Sequence, residues 1–108
     1  MSNLSLADIE LTGENHVESW LSKNGYTNIE KEILPSKETE IRASGTVENI
    51  LVQVRTFLDP HRPFKLSDYA IDKMARRAIN FNCIAYVAYV VIDANKNLIG
   101  DINWERLS

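Results

Sequence analysis

Two stretches of the chain are apolar almost without interruption: Asn49–Thr56, reading NILVQVRT, and Ile84–Ile92, reading IAYVAYVVI. Short runs rich in branched residues predict strands covered on both faces, with Ile84–Ile92 the longest and most deeply buried. A helical period precedes them. Leu6–Lys23 predicts a helix with Ser5 as N-cap and Asn24-Gly25 as its stop. Val17, Trp20 and Leu21 form its apolar stripe, and Glu14 lies about 60° from Val17 at 100° per residue, bordering the buried side. Gly13 either admits a close neighbouring segment or weakens the helix.

The rest of the pattern fills in around these elements. Thr27–Leu34 and Glu38–Ser44 read as strands joined by a turn at Pro35-Ser36-Lys37, and Gly45 turns the chain into the strand Asn49–Phe57. Leu58–Leu66 (LDPHRPFKL) predicts an irregular loop, with Phe57 and Phe64 as its anchors. Ser67 or Asp68 opens a second helix to about Asn80. Ile71, Met74, Ala75, Ala78 and Ile79 are its expected core stripe. Asp72, Lys73, Arg76, Arg77 and Asn80 are its polar face, with Asp72 and Arg76 an i,i+4 pair. After Ile92, Asp93–Asn97 predicts a turn and Leu98–Ile102 a strand pairing back, with Trp104 over one end of the core. A helix between two side-by-side strands implies a crossover connection, so the expected class is α/β, a mixed sheet flanked by helices.

Composition bounds this picture. The 108 residues suffice for one domain spanning 1–108, with residues 1–5 expected to fray. A hydrophobic fraction of 44% and a charged fraction of 25% are those of a globular protein. No apolar run approaches the roughly 20 residues of a membrane span, and the N-terminus lacks a basic-then-apolar leader, so no membrane partner is expected. Cys83, the one cysteine, reads as a small buried hydrophobe in a reducing, cytoplasmic setting. The net charge of −3 is uneven. Residues 1–54 carry four basic and nine acidic side chains, whereas residues 55–77 carry six basic and three acidic. The acidic total disfavours indiscriminate DNA binding but leaves a local basic face.

Several short motifs fall in order along these elements: Gly13-Glu14, Val17, Trp20-Leu21 and Gly25-Tyr26 on and after the first helix, Glu40-Ile41-Arg42 on the second strand, Gln53-Val54-Arg55-Thr56 on the third, and Lys73 on the second helix. Together with the αβββαβ order they resemble the restriction-endonuclease-like PD-(D/E)xK nuclease superfamily, and within it the small bacterial family of Holliday-junction-resolvase-like endonucleases. The resemblance spans about residues 13–92. It implies a catalytic set at Glu14, Arg42, Gln53 and Arg55, where the family has Glu, Asp, Glu and Lys. Three of the four positions depart from that pattern.

The family's carboxylates hold Mg²⁺, which activates water and neutralises the phosphate. Glu14, Arg42, Gln53 and Arg55 sum to +1 instead of the family's −2. An arginine about 4 Å from a divalent ion is repelled by roughly 8 kcal/mol at an effective dielectric near 20. No cofactor is therefore expected. Mg²⁺ or Mn²⁺ enters only in an atypical nuclease using Glu14, Glu40 and Gln53, so enzyme activity stays open.

Guanidinium forks suit phosphate. The leading expectation is a nuclease-like protein whose Arg42 and Arg55 bind a DNA or RNA backbone with little or no cleavage, aided by Arg62, Lys65, Lys73, Arg76 and Arg77. Equally weighted is an internal salt bridge from Glu14 to Arg42 or Arg55. A non-catalytic interaction or assembly module, homodimeric or otherwise, is the alternative from another class.

Overall fold

A computed structural model of the chain describes residues 4–36 and 38–108, so the expected fraying of residues 1–3 and the turn residue Lys37 lie outside the described residues. Helix α1 covers Leu6–Lys23. Its first turn is closed by a capping box: Asp8 N–H donates to Ser5 Oγ at 3.0 Å and Ser5 N–H donates to Asp8 Oδ2 at 3.2 Å. Leu4 packs against the core and Ser5 caps the helix, so these two residues are tied down rather than frayed. Asn24 caps the other end, and Gly25 takes φ +87° as Tyr26 N–H returns to the Leu21 carbonyl.

Strands β1 (Thr27–Ile33), β2 (Thr39–Ser44) and β3 (Asn49–Leu58) form an antiparallel meander. Helix α2 (Asp68–Asn80), capped by Ser67, then carries the chain across to β4 (Ile84–Ile92), which pairs parallel to β3 along its whole length. The five-stranded mixed sheet runs β1-β2-β3-β4-β5.

The last strand is not where the hydrophobic pattern placed it. β5 is Asn103–Arg106, antiparallel to Tyr86–Tyr89, and of the predicted strand only Leu98 makes a single bridge, to Ile92. Gly100 at φ +68° breaks the ladder, and Ile102 turns into the core instead of continuing it. Trp104 then stacks on Trp20 with ring centroids 4.8 Å apart.

Alternation along the strands divides the core between the two helices. Ile41, Ala43, Ile50, Val52, Ala88, Val90 and Ile92 pack with Val17 and Leu21 of α1. Leu51 and Ala85 point the other way, onto Met74 and Ala78 of α2. The continuous apolar runs of β3 and β4 are thus explained, since each has a helix on either side. Leu66 packs with Val87 and Tyr89 and pins the loop before α2. Two stripe residues are corrected. Ile79 is exposed, because α2 touches the sheet through the narrow Met74–Ala78 line, and Trp20 sits at the rim under Trp104.

Gly13 shows why α1 lies so close. An ideal Cβ there would stand 1.6 Å from Thr56 Oγ1 and 2.7 Å from Thr56 Cβ. The glycine therefore admits β3, which is the first of its two sequence readings.

Candidate functional site

On β2 and β3, Glu40, Arg42, Gln53 and Arg55 share the parity of Leu51 and face α2, whereas Glu14 projects from α1 on the other face. The register corrects the expected constellation. Gln53 pairs with Glu40, and Arg42 pairs with Leu51. The charged residue opposite Gln53 is therefore an acid. Arg42 and Arg55 are separated by four rungs, roughly 13 Å at 3.3 Å per residue. Their guanidinium groups are held apart, that of Arg42 by Glu30 and Phe81 and that of Arg55 by Phe57 and Phe64.

Glu40 is 3% exposed. Its carboxylate is held by Arg77 of α2, whose Nε lies 3.0 and 3.1 Å from the two oxygens and whose terminal nitrogen lies 2.9 Å from Oε1. The hydrogen bonds that Arg77 donates to Glu40 raise the Arg77 pKa above its ordinary value, against the opposing effect of burial. Arg77 was expected on a solvated, nucleic-acid-facing surface. It is instead committed to the sheet, because it lies about 60° from Met74 on the helical wheel, the same offset that drew Glu14 inward. That signal was present in the sequence.

The other expected sites also find protein partners. Gln53 Nε2 donates to Glu38 Oε2 at 2.9 Å. Glu14, 8% exposed, pairs with Lys31 of β1 at 3.3 Å, so the expected bridge to Arg42 or Arg55 does not form. Lys31 shares the parity of Ile41, its cross-strand neighbour, which puts it on the α1 face with Glu14. Arg42 pairs with Glu30 at 3.1 Å and lies 4.3 Å over the Phe81 ring. Gln53 is the cross-strand neighbour of Glu40 and lines a groove with Glu14, but all three side chains are engaged by protein partners. Among the described residues no group of three or more His, Cys, Asp or Glu is placed to hold an ion.

Arg55 differs from Arg42 and Arg77, the other arginines placed on this face of the sheet. It makes no ion pair among the described residues, and its guanidinium lies 5.0 Å from the Phe64 centroid and 5.9 Å from Phe57. Phe57 and Phe64 meet edge to face at 5.6 Å, so both loop anchors also hold this arginine. Lys65, Lys73 and Arg76 are exposed and likewise make no ion pair among the described residues, and the expected Asp72–Arg76 contact is not formed. Arg62 turns back on Asp59 at 2.8 Å.

A groove of about 560 Å³ runs beside the second half of β3. It is lined by Leu6, Glu10 and Glu14 of α1, by Ser36, Glu38 and Thr39 where β1 turns into β2, and by residues 53–57 of β3. Neither histidine adds chemistry. His16 Nε2 lies 2.9 Å from the Lys96 carbonyl oxygen and His61 is exposed. Desolvation raises the Cys83 thiol pKa, which disfavours a reactive thiolate.

No family model matches this chain, and no curated protein matches it. No helix among the described residues is long and apolar enough to cross a membrane.

Proposed function

We propose that this is a nuclease-like protein of the PD-(D/E)xK type that associates with a nucleic-acid backbone and does not cleave it. The mixed sheet with a helix on each face, and the order αβββαβ followed by a short strand, support the resemblance. The observation that carries the functional part is Arg55. It is a cation without a carboxylate partner among the described residues, steadied by two aromatic rings. A guanidinium held this way presents its donors to phosphate with little further loss of side-chain freedom.

The phosphate surface differs from the one expected in the sequence. Arg55 on the sheet, Lys65 in the loop, and Lys73 and Arg76 on α2 replace the Arg42–Arg55 pair. Glu40 is neutralised by Arg77 and Glu14 by Lys31, so the acids a metal would need already have internal partners.

Fluorescence anisotropy with a 20-nucleotide single strand and its duplex, at 20 to 200 mM salt, tests this. Four phosphate contacts give a log–log salt slope of about −3 to −4, and Arg55→Ala makes it shallower by about one. Equal binding by wild type and Arg55→Ala, or none at 20 mM salt, refutes the phosphate reading. Plasmid nicking in Mn²⁺ that Glu14→Ala abolishes would refute the loss of cleavage.

A further inference from the structure

β2 stops pairing with β3 at Glu40–Gln53, yet β3 continues to Leu58 against β4. Among the described residues, Val54–Leu58 are therefore paired on one side only. Alternate residues of this segment turn their N–H and C=O groups to the open side, which is a template for another strand. The two outer edges of the sheet are protected differently. β1 carries Glu30, Lys31 and Glu32 in succession on an exposed strand, and β5 is four residues long. The free half of β3 lies inside the sheet's outline, and its residues 54–57 line the 560 Å³ groove.

The groove walls say what would fit. Its described charged lining is Glu10, Glu14, Glu38 and Arg55, three acids against one base. Glu14 is shared with Lys31 and Glu38 with Gln53, while Glu10 is exposed on the first half of α1 and makes no ion pair among the described residues. Leu6, Val54 and Phe57 supply apolar surface beside them.

We infer that this groove takes an extended basic peptide, which adds as a strand alongside Val54–Leu58 in continuation of the line of β2. Strand addition draws affinity from main-chain hydrogen bonds and specificity from alternate side chains. Cationic side chains on the face turned towards α1 meet Glu10, and apolar ones on the opposite face meet Phe57. The site uses different residues from the phosphate surface except for Arg55, and it does not depend on that surface.

Three fluorescein-labelled six-residue peptides test the inference against the full chain by anisotropy: one alternating lysine with valine, one with glutamate in place of lysine, and the lysine peptide with every second amide N-methylated. The lysine peptide is expected to bind saturably below 1 mM, at least tenfold more tightly than either of the others, as an order of magnitude for lost strand bonds or reversed charge. Glu10→Lys, on an exposed helix position, is expected to weaken it about fivefold or more. Amide exchange is expected to slow at Val54–Leu58. Absence of saturable binding at 1 mM, equal binding of the N-methylated peptide, or protection confined to β1 or β5 overturns the inference. The oligonucleotide titration reads the phosphate surface separately, so either proposal can fail while the other stands.

Discussion

Loss of the Arg77 side chain should be costly although it lies outside the apolar core. Its partner Glu40 is 3% exposed in the middle of the sheet, and three nitrogen–oxygen distances of 2.9 to 3.1 Å join them. Opposite charges about 4 Å apart attract by roughly 4 kcal/mol at an effective dielectric near 20. Truncating one member of a buried pair commonly costs about 3–5 kcal/mol, mostly because the other charge is left buried and uncompensated. Arg77 is 30% exposed, so water screens part of the interaction and the lower end applies, about 3 kcal/mol for Arg77→Ala. At a urea m-value of about 1–3 kcal/mol per molar, the unfolding midpoint drops by about 1 M or more. The double variant Glu40→Gln/Arg77→Met leaves no buried charge and should recover at least about 1 kcal/mol of the loss. A cost below about 1 kcal/mol for Arg77→Ala, or a double variant no more stable than the single, would refute the view of Glu40 as a trapped charge.

Other expectations concern separate parts of the molecule. Gly13→Ala gains about 1 kcal/mol of helix propensity but drives a methyl into Thr56, so a net loss of about 1–2 kcal/mol is expected in thermal or urea unfolding. A more stable Gly13→Ala protein would show that α1 can back away from β3 at no cost. Ser5→Ala removes the capping oxygen of α1 and should cost about 1 kcal/mol by the same measurement. The Tyr86 pKa is raised, chiefly by the hydrogen bond its hydroxyl donates to Glu48 and then by burial. A raised folded-state value means that this contribution is intact below the unfolded pKa near 10 and is lost as pH rises through the folded value. Urea midpoints measured from pH 8 to 11 should therefore fall on the alkaline side, and Tyr86→Phe should flatten that fall. An unchanged slope counts against the hydrogen bond to Glu48.

The hydrophobic pattern by itself determined the elements and their parity. Periods of two and 3.6 are local properties, so α1, α2, β3 and β4 were legible to within a residue or two, as was the burial of Glu14 beside Val17. The exception was β5, where apolar Leu98–Ile102 outweighed Gly100, whose positive φ ends the pairing. The partners of the charged residues were decided only by the tertiary structure. Which acid faces Gln53 depends on the hairpin register of β2 and β3, and a shift of two residues exchanges Glu40 for Arg42 without changing the face that either occupies. Whether Glu14 meets Arg42, Arg55 or Lys31 depends on how α1 crosses the sheet, and that crossing is governed by the contact of Gly13 with Thr56. A charge is satisfied by whatever opposite charge the fold brings within a few ångströms, and sequence separation carries little information about that distance.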